Sequence, residues 1–239
     1  MKKLIFLLAV LIVVSSNLRA QIVNSVDVFA EYSKPGKKLD SITKIDGIGG
    51  GVKLNFPIYK EFSINLLGGY TLFSLNEENA LSGWNWEFWT RYNDFVRQTL
   101  SDAAYKNFTN PVQKMDLLNL YITIDYDFIP IEKLHIKPVI GGGCYFYNRR
   151  LYIDETWTKY FSTLNYTFEY EFRNIAPEKS GNTLFYTGGL DVNYEISQGF
   201  WLFGSVKYVN VFDSEISYGF DKMPFKNTIN TNLGLTILY

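Results

Sequence analysis

The chain has 239 residues, a formal net charge of −1, an aromatic content of 18% and one cysteine, Cys144. The near-neutral charge gives no electrostatic basis for a nucleic-acid or strongly acidic partner, and a lone cysteine excludes an intrachain disulfide. The length suits one large domain or two small ones.

The first 20 residues are predicted to form a secretory signal peptide. Lys2 and Lys3 precede an apolar run over residues 4–14, and Ala20 is a small residue at the expected cleavage point. The run is short for a membrane helix, and no later stretch reaches the ~18 consecutive apolar residues that such a helix needs. We therefore expect a mature domain of residues 21–239 that is exported from the cytoplasm.

Alternation of apolar and polar residues predicts eight β-strands in that domain. The predicted strands are residues 22–33, 46–58, 62–73, 117–128, 134–147, 183–196, 200–212 and 227–239. At about 11–14 residues each, they are long enough to cross a membrane as tilted strands, which takes ~9–11 residues.

Tight turns and longer loops alternate between these strands. The tight turns are residues 59–61, 129–133 and 197–199. The longer loops are residues 34–45, 74–116, 148–182 and 213–226. Every tight turn therefore falls at one end of the sheet and every longer loop at the other. Outer-membrane barrels have this asymmetry, with short periplasmic turns and longer extracellular loops.

The composition of the two strand faces indicates which of them meets lipid. The polar face consists mainly of Gly, Ser, Thr and Asn, whereas a water-facing surface carries more Lys and Glu. Aromatic residues concentrate near the strand ends, as interface girdles do. The sequence therefore predicts an all-β fold, a membrane-spanning eight-stranded antiparallel up-and-down β-barrel. A soluble periplasmic lipocalin-like barrel, with its apolar face inside, is the remote alternative.

Two tight turns predict the register of the strands that they join. With the first turn centred on residue 60, Asn55 lies opposite Asn65. With the second turn centred on residue 131, the opposite pairs are Asp125 with Lys137 and Asp127 with His135.

Polar residues on the inward face are predicted to plug the lumen. Eight strands leave an interior just wide enough for side chains, and buried charge is tolerable only when it is paired and hydrogen-bonded. A proton or ion pathway is the alternative role for the same residues. The predicted polar network comprises Lys53, Asp125, Asp127, His135, Lys137, Asp191, Glu195 and Lys207.

The C-terminal sequence NLGLTILY carries a family resemblance. Asn232, Gly234, Ile237 and Tyr239 have the spacing of the signal that the barrel assembly machinery reads in outer-membrane proteins, with Tyr in place of the usual terminal Phe. Together with the eight strands, this makes the mature chain resemble the small OmpA-like and OmpW-like outer-membrane barrels. The resemblance implies the outer membrane of a Gram-negative-type bacterium, with its lipids and the assembly machinery as partners.

The two longest loops are predicted to have structure of their own. One amphipathic helix is predicted over roughly residues 84–106, with Ser82 as a candidate cap. Asn110-Pro111 is predicted to break the chain before the next strand. Residues 151–173 alternate well enough to extend the neighbouring strands as a hairpin.

Aromatic residues near the mouth of the barrel are candidate ligand contacts. The helix is interpreted as a lid or ligand-contact element, or as an element that docks on the rim with its tryptophans at the lipid headgroups. A binding barrel is expected to have an apolar cavity there. The candidate contacts are Trp84, Trp86, Trp89, Tyr145 and Tyr147.

The sequence predicts no enzyme and no cofactor. His135, the one histidine, lies near a tight turn and not at the extracellular rim, where barrel hydrolases hold a nucleophile and its base. The glycine runs at residues 47–51 and 141–144 lie inside strands and are not nucleotide loops, and no metal-ligand cluster appears. We therefore expect a non-enzymatic outer-membrane barrel. An OmpW-like resemblance implies that it binds or admits a small apolar ligand; a structural or surface-interaction, adhesin-like barrel is the alternative.

Overall fold

The computed structural model describes residues 23–212, 218–219 and 222–238. The strands in the described residues are β1 (Ser25–Pro35), β2 (Ile42–Tyr59), β3 (Phe62–Glu77), β4 (Tyr105–Tyr126), β5 (Phe128–Ile131), β6 (Leu134–Phe161), β7 (Tyr166–Ile175), β8 (Lys179–Ser197), β9 (Phe200–Val211), β10 (Tyr218–Gly219) and β11 (Asn227–Leu238). The helices are α1 (Ala80–Trp84) and α2 (Glu87–Thr99). The predicted signal peptide, and Tyr239 of the predicted assembly signal, lie outside the described residues.

Eight of these strands close into a ring. The order is β1–β2–β3–β4–β6–β8–β9–β11, every neighbouring pair is antiparallel, and β11 pairs with β1. Closure leaves the barrel wall without an unpaired edge. The eight strands correspond to the eight predicted ones, so the predicted barrel is confirmed. Neither described helix is long and apolar enough to cross a membrane.

Side chains of each barrel strand point alternately into the lumen and away from it, because the side-chain period of a strand is two. In β4, Leu118 and Leu120 are 44% and 48% exposed on the outside, whereas Asn119 and Thr123 are buried inside. An apolar outer wall around a polar centre is the arrangement of a membrane-spanning barrel. A lipocalin-like barrel requires the reverse.

Two barrel strands, β4 and β6, continue beyond the barrel at the end that carries the long loops, and β7 joins them there. Residues 105–112 of β4 pair with residues 152–159 of β6, and residues 152–161 of β6 pair with β7. We call this three-stranded extension the upper sheet. It confirms the hairpin predicted over residues 151–173, and it lies at the end opposite the tight turns.

Pro111 does not break the chain, contrary to the prediction. It lies inside β4, where it is paired with Ile153 of β6. Pairing between β3 and β4 reaches only to Gln113, so the other side of β4 is unpaired at Pro111 in the described residues. Proline has no N–H to donate and is tolerated at such an edge.

The predicted single helix is two helices. Between α1 and α2, Asn85 has the left-handed backbone conformation (φ 53°, ψ 48°) and Trp86 is extended. Asparagine adopts the left-handed region more readily than most residues, so the helix ends there. Ser82 lies inside α1, where its hydroxyl donates to the Asn79 carbonyl at 2.9 Å, and it is not a cap.

The register predicted at the first tight turn is confirmed and that at the second is wrong. Asn55 pairs with Asn65. Asp125 pairs with Val139 and not with Lys137, because the pairing is irregular between Phe128 and the turn. Each residue of β4 near this turn is therefore paired with the β6 residue two positions beyond its predicted partner.

Candidate functional site

The centre of the lumen holds a buried ion network. The Lys53 amine lies 2.5 Å from the Asp27 carboxylate and 2.9 Å from that of Asp191, and the Lys207 amine lies 3.3 Å from Asp191. The Ser205 hydroxyl donates to Asp191 at 2.7 Å. All four charged side chains are at most 3% exposed. Two cations face two anions, so the charge is balanced where water is excluded.

This network contains three of the predicted lumen residues and one that the prediction missed. Lys53, Asp191 and Lys207 are brought together from β2, β8 and β9. Asp27 was not predicted, although alternation along β1 places it on the inward face with Ser25. The alternation of residues along β1 could therefore have identified Asp27 as an inward residue.

A second polar group lies towards the tight turns. The Asn55 amide donates to the Asn65 side chain at 2.8 Å, and the Asn65 amide donates to Asp125 at 2.7 Å. The Asn65 amide therefore satisfies one Asp125 oxygen, Oδ2, whereas Oδ1 has no hydrogen-bond partner among the described residues, and the predicted partner Lys137 is bound elsewhere.

At the end with the tight turns, Asp127 pairs with both predicted basic residues, His135 and Lys137. The His135 ring nitrogen Nδ1 lies 2.9 Å from its carboxylate, and the Lys137 amine lies 3.2 Å away. Glu195, the remaining predicted member, is half-buried on β8, and its side chain has no ion pair with another described residue. The predicted set is thus split into a central group and a group near the turns.

Above the central network the lumen is filled mainly by apolar and aromatic side chains, which strand alternation alone does not predict. One buried carboxylate lies at the same level, that of Glu31, which accepts hydrogen bonds from Ser33 at 3.0 Å and from Thr71 at 2.8 Å. Tyr145 and Tyr147 are 2% and 3% exposed, and the Tyr145 ring stacks on Phe185 with centroids 4.1 Å apart. Both belong to one buried cluster that fills this part of the barrel. Its members are Ile42, Ile45, Leu67, Phe73, Leu75, Met115, Leu117, Tyr121, Tyr145, Tyr147, Phe185, Val209, Val211, Met223 and Phe225.

The tryptophans of the predicted mouth site pack separately from these tyrosines. Trp84 is buried with Leu151 and Ala176, and its indole N–H donates to the Pro177 carbonyl at 3.0 Å. Trp86 packs against that group and stacks on Trp89, with ring centroids 6.3 Å apart. The five predicted ligand contacts therefore form two groups, one inside the barrel and one under the helices.

A buried carboxylate joins α2 to the upper sheet. Glu155 of β6 accepts hydrogen bonds from Tyr92 at 3.1 Å, Asn107 at 3.1 Å, Trp157 at 2.9 Å and Asn174 at 2.6 Å. These donors come from α2, β4, β6 and β7. Burial and the neighbouring Glu155 carboxylate raise the pKa of Tyr92, which keeps the phenol protonated as a donor. No local sequence pattern indicates this site, because its members are far apart in the chain.

The upper sheet exposes aromatic rings along β7. Phe168, Tyr170 and Phe172 lie on one face, are 46%, 40% and 37% exposed, and follow one another with ring centroids 5.7 and 6.2 Å apart. Glu169 and Glu171 lie on the other face. Among the described residues β7 pairs only with β6, so one edge of its backbone is free.

Among the cavities that the described residues form outside the lumen, two differ clearly in character. One, of about 650 Å³, lies beside α2 at the mouth and is lined mainly by polar side chains. The other, of about 480 Å³, is an apolar hollow in the outer wall beside Gly142, Gly143 and Cys144. In the part of the chain that the structure describes, no three His, Cys, Asp or Glu side chains are grouped to hold a metal ion.

The predicted assembly signal lies on β11. Asn232 is buried on the lumen side, whereas Ile237 is exposed on the outer wall. Gly234 pairs with Phe29 of β1. Recognition of these residues by an assembly machinery stays a prediction.

No family model matches the sequence, and no curated protein matches it. Solved structures similar to the chain include Ail, the attachment invasion locus protein of Yersinia pestis (10% identity, 91% of this chain and 100% of that chain, TM-score 0.39). Others are Neisserial surface protein A (11%, 90% and 96%, 0.47) and the outer membrane protein OprG from Pseudomonas aeruginosa (7%, 92% and 98%, 0.40). The fold of this chain is established independently by the hydrogen bonding of its own strands.

Proposed function

We propose that the protein is a non-enzymatic integral barrel of the bacterial outer membrane that seals its own lumen and presents a protein-interaction surface outside the cell. The observation that carries the proposal is the upper sheet, whose strands continue past the barrel and expose an aromatic face. The lumen beneath it is packed with side chains.

The location rests on the form of the barrel. Apolar side chains cover the outer wall, and closed barrels are one of only two structures that satisfy all backbone polar groups within lipid. Outer-membrane barrels place short turns in the periplasm and longer loops outside. In that orientation the upper sheet is extracellular. Outer-membrane lipids and, during biogenesis, the barrel assembly machinery are the expected partners.

Successive layers of side chains support a sealed lumen. An ion entering from the tight turns meets the Asp127 group, then the ion pairs of Lys53, and then the stacked rings around Tyr145. Passing the second layer requires breaking buried ion pairs, which costs several kcal/mol. Passing the third requires displacing closely packed aromatic side chains.

Planar-bilayer recording tests the seal. We expect no stable channel from folded monomeric protein, with folding verified in the same preparation by heat-modifiable migration on a gel. Large, stable single-channel currents from that material would contradict the sealed lumen and would favour the ion-pathway role for the buried charges.

The free edge of β7 supports an interaction with protein. An exposed edge offers unpaired N–H and C=O groups to which an extended segment of another chain can add as a further strand. The rings of Phe168, Tyr170 and Phe172 lie beside that edge and offer apolar area, which aromatic residues supply at interfaces. Edge and aromatic face together favour an adhesin-like role over a purely structural one.

Cell adherence tests the interaction surface. Cells that display the wild-type protein are expected to adhere to protein-coated surfaces or to one another, and the triple variant Phe168→Ser, Tyr170→Ser, Phe172→Ser is expected to lose that adherence. Phe108→Ser with Tyr160→Ser is the control, because these exposed rings lie on the opposite face of the upper sheet. Equal adherence of all three displayed proteins would count against the proposal.

Binding of small apolar compounds is a second candidate function, and the hollow in the outer wall favours it. Its lining includes Leu120, Cys144 and Leu184. The strands beside Gly142 are paired without interruption on both sides, so this candidate is binding on the wall and not passage through a lateral opening. An apolar compound that occupies the hollow should slow alkylation of Cys144, and Leu184→Trp should abolish that protection. Unchanged alkylation would argue against it.

A further inference from the structure

The larger of these two cavities lies beside α2, between the two helices and the ends of β3 and β4. Thr90, Asn93 and Arg97 of α2 line one side, Thr109 of β4 lines another, and Glu77 at the end of β3 lies at its base. Its volume of about 650 Å³ falls within the ~300–1,000 Å³ that is typical of small-ligand sites.

One polar stripe of α2 faces this cavity. The stripe consists of Thr90, Asn93, Asp94 and Arg97, at the i, i+3, i+4, i+7 spacing of one helix face. A neighbouring stripe, which includes Trp89 and Val96, is buried. The helix therefore packs through one face and offers hydrogen-bonding groups to the cavity through the next.

The polar groups of that stripe are unused within the described chain. The side chains of Asn93, Asp94 and Arg97 make no hydrogen bond or ion pair with another described residue. Arg91, on a different face of the same helix, is paired with Glu87. Asp94 and Arg97 are exposed and Asn93 is half-buried, so a ligand in the cavity would replace water on a carboxylate, a guanidinium and an amide.

Glu77 is fixed in place at the base of the cavity. Its carboxylate accepts hydrogen bonds from Ser41 at 3.0 Å, Gln113 at 2.8 Å and Arg149 at 3.0 Å. Side chains held in this way do not rearrange when a ligand enters, which lowers the entropic cost of binding.

We propose that this cavity binds a saccharide. Hydroxyl groups both donate and accept hydrogen bonds, so one sugar can donate to Asp94, accept from Arg97 and do both with Asn93. Trp89 also lines the cavity, but it is 8% exposed, so it offers only a small apolar area to a sugar ring. This site lies on the β4 side of α2 and is distinct from the aromatic face of β7.

The same groups disfavour other ligand classes. An apolar ligand would desolvate the charged and amide groups without replacing their hydrogen bonds, which is costly. A sulfated or phosphorylated polyanion would meet the carboxylates of Asp94 and Glu77. A free amino acid could pair with Asp94 and Arg97, but it would fill only a small part of the cavity.

A saccharide could reach the site from two sources. One is the headgroup of a glycolipid in the surrounding outer leaflet, and the other is a soluble or cell-surface glycan. Binding is measured with the full chain folded in phospholipid nanodiscs, by tryptophan fluorescence and calorimetry. One arm uses a panel of neutral soluble oligosaccharides, and the other compares nanodiscs with and without lipopolysaccharide.

We expect saturable binding in at least one arm, about tenfold or more weaker in Asp94→Ala and in Arg97→Ala because each loses a charge-assisted hydrogen bond. Arg91→Ala, a change of the same residue type on another face of the helix, should bind as wild type does. Failure of every saccharide to bind would overturn the proposal, as would equal weakening by Arg91→Ala or tighter binding of free amino acids.

The outcome is separable from that of the proposed function. Asp94→Ala leaves the exposed rings of β7 unchanged, so adherence that depends on Phe168, Tyr170 and Phe172 should persist in this variant. Loss of saccharide binding with retained adherence is the expected result. Adherence without any saccharide binding would overturn this inference alone.

Discussion

Gly143 lies where two strands of the barrel wall approach each other closely. A Cβ atom at this position would lie 2.2 Å from the backbone oxygen of Leu120 and 2.3 Å from the Cβ of Tyr121. Backbone cannot yield as a flexible side chain can, so the wall itself would have to shift. Glycine inside a strand marks such an approach of a neighbouring backbone.

Gly143→Ala is therefore expected to impair folding of the barrel. The measurement is the fraction of protein that reaches the heat-modifiable folded form in lipid vesicles. Gly204→Ala is the matched control, because a Cβ there has no heavy atom within 4 Å. Equal folding yields for the two variants would show that the close approach at Gly143 is relieved at no cost.

Asp191 holds together the charges at the centre of the lumen. It contacts both Lys53 and Lys207 and is fully buried. Removing one partner of a buried ion pair leaves an uncompensated charge, so Asp191→Ala should lower the free energy of unfolding by ~3–5 kcal/mol.

Urea unfolding in lipid vesicles measures this effect. Glu87→Ala serves as the control, since it breaks the exposed Arg91–Glu87 pair, and exposed pairs contribute little. A similar small change in both variants would mean that water reaches the central network, and the sealed lumen would then lose its main support.

Only part of the lumen could be predicted from the sequence. Alternation identifies inward positions, and so it found Lys53, Asp191 and Lys207. It does not reveal which inward residues meet across the barrel, because that depends on the stagger of strands far apart in the chain. Tyr145 and Tyr147 were placed at an open mouth for this reason, whereas they pack within the barrel.

At the scale of elements, α2 is held to the upper sheet through Glu155. The carboxylate has four donors, and Tyr92 is the one that comes from the helix. Tyr92→Phe keeps the ring but removes a hydrogen bond to a charged group, worth ~1.5–3 kcal/mol. We expect α2 to open more often in this variant.

Limited proteolysis within α2 measures that opening. Tyr160→Phe is the matched control, because its hydroxyl donates to Asn165 in an exposed hairpin turn. Faster cleavage of Tyr92→Phe alone is expected. Equal cleavage rates would show that the packing of Trp89 and Val96 alone holds the helix.

Elements that a local sequence pattern determines were predicted correctly, whereas features that depend on contacts distant in the chain were not. Strands were found because alternation is a local pattern with a period of two. The break at Asn85 and the offset near Phe128 were missed, since several backbone conformations suit the same residues there. Pro111 was misread because only the paired neighbours of a strand decide whether a missing N–H matters.

At the scale of the whole molecule, the closed barrel and the upper sheet suit different surroundings. The barrel satisfies its own backbone hydrogen bonds and turns its apolar side chains outward, so it needs lipid around it. The upper sheet needs no lipid, because its β4 and β6 strands continue from a rigid wall and Glu155 ties α2 to them. Long strands thereby hold the proposed interaction surface at a fixed orientation to the membrane.

Whether lipid covers the outer wall can be tested with two residues of similar exposure. Leu120 lies in the middle of the wall and is 48% exposed, whereas Phe62 lies beside a tight turn and is 45% exposed. An arginine facing lipid costs ~2–4 kcal/mol at the midplane of the bilayer and ~0–1 kcal/mol near its surface. Leu120→Arg should therefore be much less stable than Phe62→Arg when unfolding is measured in vesicles. In water the two substitutions would be almost equivalent, because neither would move a charge out of solvent. Equal stabilities would place the apolar wall against something other than lipid.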